Sequence, residues 1–216
     1  MRDSGSGEKW DFNENTNYVN VKSSIDDLVY KVWDSGPESV KQEVADVLAS
    51  VRRDLNKLLI YLYNNPQLWN DKPIAFGIYH AFDIHIPCWT KIKNFTPENL
   101  NKECKSIGKL FNFQEMKPNH MNIIGLNKPK KIIKIPVEYE GKNFGYEIAE
   151  KRSIFLTVRN MNSNIMHKYS TVLYLAIHEI THTVCNDVRW KKDNHLPPYE
   201  NYHSFMKQAA SECGIL

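Results

Sequence analysis

Apolar residues recur at spacings of three and four between Pro37 and Tyr63: Val40, Val44, Val47, Leu48, Val51, Leu55, Leu58, Leu59 and Leu62. That spacing traces one face of a 3.6-residue period, so it predicts a long helix whose stripe packs on the core. Pro37 suits a first helical turn, and Asn64-Asn65-Pro66 stops the helix. A short helix is expected from about Ser24 to Trp33, before the turn Asp34-Ser35-Gly36-Pro37. Phe76 to Pro87 reads as a strand or buried loop. Thr96-Pro97-Glu98-Asn99-Leu100 reads as a helix start, and Asn122 to Leu126 as a short strand.

From Lys131 the pattern turns to β. Ile132 to Val137 is one predicted strand, and its Pro136 argues for an edge position. A turn at Glu140-Gly141-Lys142-Asn143 leads to a second strand, Tyr146 to Ala149. Ser153 to Arg159 alternates most clearly, with Ile154, Leu156 and Val158 between Ser153, Phe155, Thr157 and Arg159. A polar loop, Asn160 to Asn164, follows. Next comes a helix capped by Ser170 or Thr171 and running through Val184, apolar nearly all round and therefore expected to be buried. A last helix is predicted from Pro198 to Cys213, with Gly214 as its stop.

The 216 residues suffice for one substantial core. Residues 1–17 read as a flexible lead-in, 18–130 as a helical N-terminal layer, and 131–216 as the core that carries chemistry, expected to form one compact domain with that layer. A net charge of +3 is too small to signal nucleic-acid binding by itself. The four cysteines, Cys88, Cys104, Cys185 and Cys213, form no C-x-x-C pair, so reduced thiols in a cytoplasmic or nuclear setting are expected. The polar Met1–Gly7 has no apolar run behind it, and no stretch of about 18 apolar residues is available to span a bilayer.

The chemistry lies inside the apolar helix, at His178-Glu179-Ile180-Thr181-His182. This is H-E-x-x-H. Residues four apart sit one above the other, so both imidazoles can share one Zn²⁺. Glu179 falls beside the metal, where it can act as general base toward a water whose pKa zinc lowers. Two His and a Glu in a buried helix would cost several kcal/mol if nothing satisfied them, and a metal satisfies all three.

The third ligand decides the subclass. A metzincin would need Gly and His where this chain has Cys185 and Val188, so that pattern fails. Glu200 or Glu212 could supply a carboxylate, and His195 or His203 an imidazole. Cys185 has no base of its own and reads as a small buried residue.

The segment Asn194-His195-Leu196-Pro197-Pro198-Tyr199 resembles the SprT-like and WLM zinc peptidases, in which H-E-x-x-H is followed by a G-H-x-P-x-F-like segment opening a helix. His195, Pro197 and Tyr199 match; Asn194 replaces the Gly and Tyr199 the Phe. The close of the chain, Ala209-Ala210 to Gly214-Ile215-Leu216, is similar to the ends of related peptidases of large DNA viruses, which adds a virion to the compartments expected. The resemblance covers about Ser153 to Leu216. It implies an α+β, zincin-like fold: a small, mostly antiparallel sheet packed on the buried metal helix, with additional N-terminal helices. It also implies one zinc per chain held by His178, His182 and His195, and a protein or peptide substrate.

Around this centre, Tyr199, Tyr202, His203 and Arg159 are candidates for oxyanion or substrate contact. Ser153–Arg159 is either a substrate-pairing strand or a central core strand. Arg189-Trp190-Lys191-Lys192 and Lys128-Pro129-Lys130-Lys131 are basic clusters that could meet nucleic acid or an acidic partner. The family includes peptidases that digest proteins crosslinked to DNA, which implies DNA-associated proteolysis. The alternatives are a zinc-containing binding module without turnover and a zinc hydrolase of a non-peptide amide.

Overall fold

The fold is that of a computed structural model describing residues 17–81, 111–117, 123, 125–129, 132–139, 142–149, 152–160, 162–185 and 197–216. It is α+β. Strands β1 (Tyr18–Lys22) and β2 (Val29–Trp33) precede helix α1 (Glu38–Asn64), a 3₁₀ turn (Pro66–Leu68) and helix α2 (Ile74–Ala81). Strands β3 (Phe111–Glu115), β4 (Gly125–Pro129), β5 (Ile132–Tyr139), β6 (Lys142–Ala149) and β7 (Arg152–Leu156) follow. Helices α3 (Tyr169–Val184) and α4 (Pro197–Glu212) complete the described elements.

Five strands form one sheet in the order β1-β2-β3-β7-β4. The pairs β1–β2 and β7–β4 are antiparallel, whereas β2–β3 and β3–β7 are parallel. The sheet is therefore mixed rather than mostly antiparallel, because the helices between β2 and β3 form a crossover connection, as parallel neighbours require. The β5–β6 hairpin is a separate two-stranded sheet, so Pro136 sits in a strand with a single partner.

Tyr30, Val32, Phe111, Phe113, Ile154 and Leu156 turn one sheet face toward the helices. They join Leu48, Leu55, Leu59 and Leu62 of α1, Val172, Leu173, Ala176, Ile177 and Ile180 of α3, and Met206 and Ala210 of α4 in a single core. The leucine stripe read from the sequence is thus the inner face of α1. Gly214, at φ +75°, ends the last helix in the left-handed conformation that glycine adopts without strain.

Several expectations change. Ser24 to Trp33 is a turn and then β2, not a helix. Val29 and Lys31 face out while Tyr30 and Val32 are buried, a period of two. Asp46 of α1 holds the turn by accepting the Ser23 hydroxyl (2.7 Å) and the Ser24 N–H (2.7 Å). Phe76 to Ala81 belongs to α2 rather than to a strand, and the rest of that stretch lies outside the described residues, as does Thr96–Leu100. The 18–130 layer is not purely helical, since β1 to β4 come from it. Neither Ser170 nor Thr171 caps α3. It starts at Tyr169 with Lys168 at the N-cap and no side-chain cap, and the Tyr169 hydroxyl instead donates to Asp54 of α1 (2.7 Å). Among the described residues, no helix is long and apolar enough to cross a membrane.

Candidate metal centre

Helix α3 is held from three directions. Its apolar residues lie in the core, α4 packs along one flank, and β4 along another. Against its C-terminal end lies α2, where Gly77 makes room. A Cβ at Gly77 would stand 1.8 Å from the Val184 carbonyl oxygen, so only glycine allows this approach.

The two histidines of H-E-x-x-H, His178 and His182, emerge on the α4 side. The Nε2 atoms of His178 and His182 are 3.2 Å apart, with ring centroids at 4.9 Å. Two nitrogens bound to one tetrahedral zinc at about 2.0–2.1 Å each would stand roughly 3.3–3.4 Å apart. Two imidazole lone pairs at this range need either a proton or a cation between them. The pair therefore fits a shared zinc ion. Glu179 turns to the other flank, where it is 5% exposed and packs on Gly125 of β4.

Helix α4 runs antiparallel to α3 and presents a matching row. On α3 the row is Tyr174, His178 and His182; on α4 it is Tyr199, His203 and Lys207, each four residues apart. Tyr199 stacks on His182 (4.4 Å, 27°) and meets His178 edge-on (5.3 Å). His203 meets His178 (5.3 Å) and Tyr174 (5.4 Å), and Lys207 Nζ lies 6.0 Å from the Tyr174 ring. The Tyr199 hydroxyl donates to the His178 carbonyl oxygen (3.2 Å). Burial, reinforced by the negative charge of Glu179, pushes the Tyr199 pKa well up, so it remains a protonated donor.

The structure thus brings together His178, His182, Tyr199 and His203, with Glu179 adjacent in the helix but facing β4. Tyr199 is 4% exposed, and its one hydroxyl hydrogen points to the helix backbone, away from an oxyanion role. His203 is 8% exposed and packs against His178. Tyr202 donates to the Pro73 carbonyl (3.1 Å) at the α2 end. Glu200 is exposed, and Glu212 accepts from Tyr61 and Gln208. Among the described residues, no group of three His, Cys, Asp or Glu side chains is arranged to hold a metal. His195 lies outside the described residues, as do Arg189, Trp190, Lys191 and Lys192 and, in the other basic cluster, Lys130 and Lys131.

Arg159 does not belong to the centre. Its side chain is 0% exposed, and all five guanidinium hydrogens have partners. Nε donates to Glu115 Oε1 (2.7 Å), Nη1 to the Ser35 carbonyl (2.8 Å) and Asn164 Oδ1 (3.0 Å), and Nη2 to the Trp33 carbonyl (2.8 Å) and Glu115 Oε2 (3.3 Å). Glu115 also accepts the Trp33 N–H (2.8 Å). The β2–β3 register is the single pair Lys31–Gln114, so this ion pair satisfies the backbone groups where the two strands part. Arg159, a candidate for oxyanion or substrate contact by sequence, is instead one half of a buried ion pair.

The choice left open for Ser153–Arg159 is also resolved. Its strand, β7, lies between β3 and β4 and is a central strand. The sheet edge beside Glu179 is β4, which begins three residues later than the strand expected at Asn122. Gly125, Tyr174 and Lys207 were not singled out from sequence. The four-residue spacing of the last two from His178 and His203 was a legible signal, whereas Gly125 carried none. No protein-family model matches the chain, and neither the curated proteins nor the solved structures contain a significant match to it.

Proposed function

We propose that the chain is a single-zinc metallopeptidase, zincin-like and of the SprT-like/WLM type. The observation that carries the reading is the 3.2 Å separation of His178 and His182 Nε2, with buried Glu179 next to them in the helix. His178 and His182 would hold the ion, with His195 as third ligand. Zinc bound there supplies Lewis acidity toward a carbonyl and a nearby water. Glu179 takes the proton of the attacking water and returns it to the leaving amine. Tyr199 and His203 keep the imidazoles in place from α4. The outer edge of β4 offers backbone N–H and C=O groups to an extended peptide, and that edge starts at Gly125, against Glu179. The basic cluster Arg189–Lys192 supports substrates that lie on DNA.

Elemental analysis is the first test. One zinc per chain is expected in the parent protein, with loss in His178→Ala, His182→Ala and His195→Ala and retention in His203→Ala and Glu200→Ala. Glu179→Gln keeps the zinc and loses hydrolysis of unfolded or DNA-bound protein by about 10²–10⁴-fold. A metal-replete parent without zinc sinks the reading. A parent that binds zinc but hydrolyses neither substrate favours a binding module.

A further inference from the structure

We propose that Gly125 is a positioning residue for the Glu179 carboxylate: the missing side chain at the first residue of β4 is the space that the carboxylate occupies. A Cβ at Gly125 would stand 2.6 Å from Glu179 Oε1, 2.8 Å from its Cγ and 3.0 Å from its Cδ. Real Cβ atoms do not come that close, so Glu179 would have to move. Gly125 lies within a regular antiparallel ladder, opposite Leu156, and its φ is not in the left-handed region. Alanine could adopt this backbone. The requirement for glycine is therefore one of room, not of conformation.

The contrast with Gly77 shows what kind of requirement this is. A Cβ at Gly77 meets the backbone of Val184, so a side chain there would push α3 itself. The three atoms nearest to a Cβ at Gly125 all belong to the Glu179 side chain, from Cγ to the carboxylate. Helix and strand can stay where they are while the carboxylate is displaced. Glu179 is buried, so its carboxylate has little free space into which to swing. This inference rests on the reading of Glu179 as general base. Under that reading the displacement matters because a base works within about 2.6–3.2 Å of the proton it takes, and a misplacement of about 1 Å costs on the order of 10²-fold in rate.

Two measurements separate this inference from the functional reading. The first uses thermal denaturation and needs no activity. Gly125→Ala is expected to lower the melting temperature by roughly 3–8 °C in the parent. In a Glu179→Ala background, where the obstructing side chain is gone, the same change should be neutral or raise it. An equal effect in both backgrounds overturns the contact. The second is steady-state kinetics with zinc analysis. Gly125→Ala should keep one zinc per chain and a KM within a few-fold, while kcat falls by about 10²-fold. Full kcat in a folded Gly125→Ala protein overturns the positioning role. If the parent itself hydrolyses nothing, the functional reading fails, and the fit of Gly125 to Glu179 stands or falls on the thermal cycle.

Discussion

Tyr199 donates its hydroxyl hydrogen to the carbonyl oxygen of His178 at 3.2 Å while its ring stacks on His182 at 4.4 Å, so one residue of α4 ties the backbone of His178 and packs on the imidazole of His182. The two roles can be separated. Tyr199→Phe keeps the stack and removes one hydrogen bond, worth about 0.5–1.5 kcal/mol. Its zinc affinity should stay within a few-fold of the parent. Tyr199→Ala removes the stack as well, costing about 3–5 kcal/mol of stability and weakening zinc by about 10–100-fold. Denaturation and competitive zinc titration measure both quantities. Equal zinc affinity in all three proteins would show that α4 does not orient the pair.

Arg159 makes an opposite prediction, a large effect on stability and none on chemistry. Removing it leaves the Glu115 carboxyl buried without its partner, which costs about 3–5 kcal/mol. Arg159→Ala should therefore melt far below the parent. At a temperature where the variant is still folded, kcat per zinc-loaded chain should be unchanged. A 100-fold loss of kcat in folded protein would restore Arg159 as a candidate for oxyanion or substrate contact.

What the sequence revealed depended on how local each signal was. Helix α1 was legible because nine apolar residues repeat along it, and the His178–His182 pair because a four-residue helical spacing is itself a distance. Strand β2 was not. Val29–Trp33 is too short for its period to be told from a helical one until its pairing with Tyr18–Lys22 is known. Helix α2 was missed because Ile74–Ala81 is an apolar run without clear period, and its packing on Val184 decides its form. The structural role of Arg159 was not legible because its partner, Glu115, lies 44 positions away in sequence. Tyr199 and His203 were named as candidates, but their contacts arise from the antiparallel docking of α3 and α4, which the sequence does not specify.

Gly77 tests how firmly the C-terminal end of α3 is clamped. In Gly77→Ala the added methyl group would overlap the Val184 carbonyl group, so the two helices must part. Overpacking of this kind costs about 1–3 kcal/mol or more. Val184 is two residues beyond His182, so the shift should reach the imidazole pair and weaken zinc too. A lowered melting temperature with a weaker zinc titration is the expected result. An unchanged melting temperature would mean that α2 does not pack this closely.

The Asp54–Tyr169 bond should make the anchoring of α3 acid-sensitive. Burial alone would raise the Asp54 pKa, but the hydrogen bonds from Lys57 and Tyr169 outweigh it and hold the carboxyl below its ordinary value of 3.8. A pKa depressed by folding means that the folded state favours the ionised form. The resulting stability is present in full above that ordinary value and is lost as pH falls through the lower folded value. Tyr169→Phe removes one of the two donors. At pH 7 it should cost about 1.5–3 kcal/mol, the range for a hydrogen bond to a charged group. The deficit should shrink as pH falls from 3.8 through the lower folded value, where the folded carboxylate protonates and the bond it accepts loses its charge. Urea denaturation of both proteins at pH 7 and near pH 3 measures the two gaps. A gap of the same size at both values would show that Tyr169 stabilises α3 by packing alone, with the Asp54 charge making no contribution.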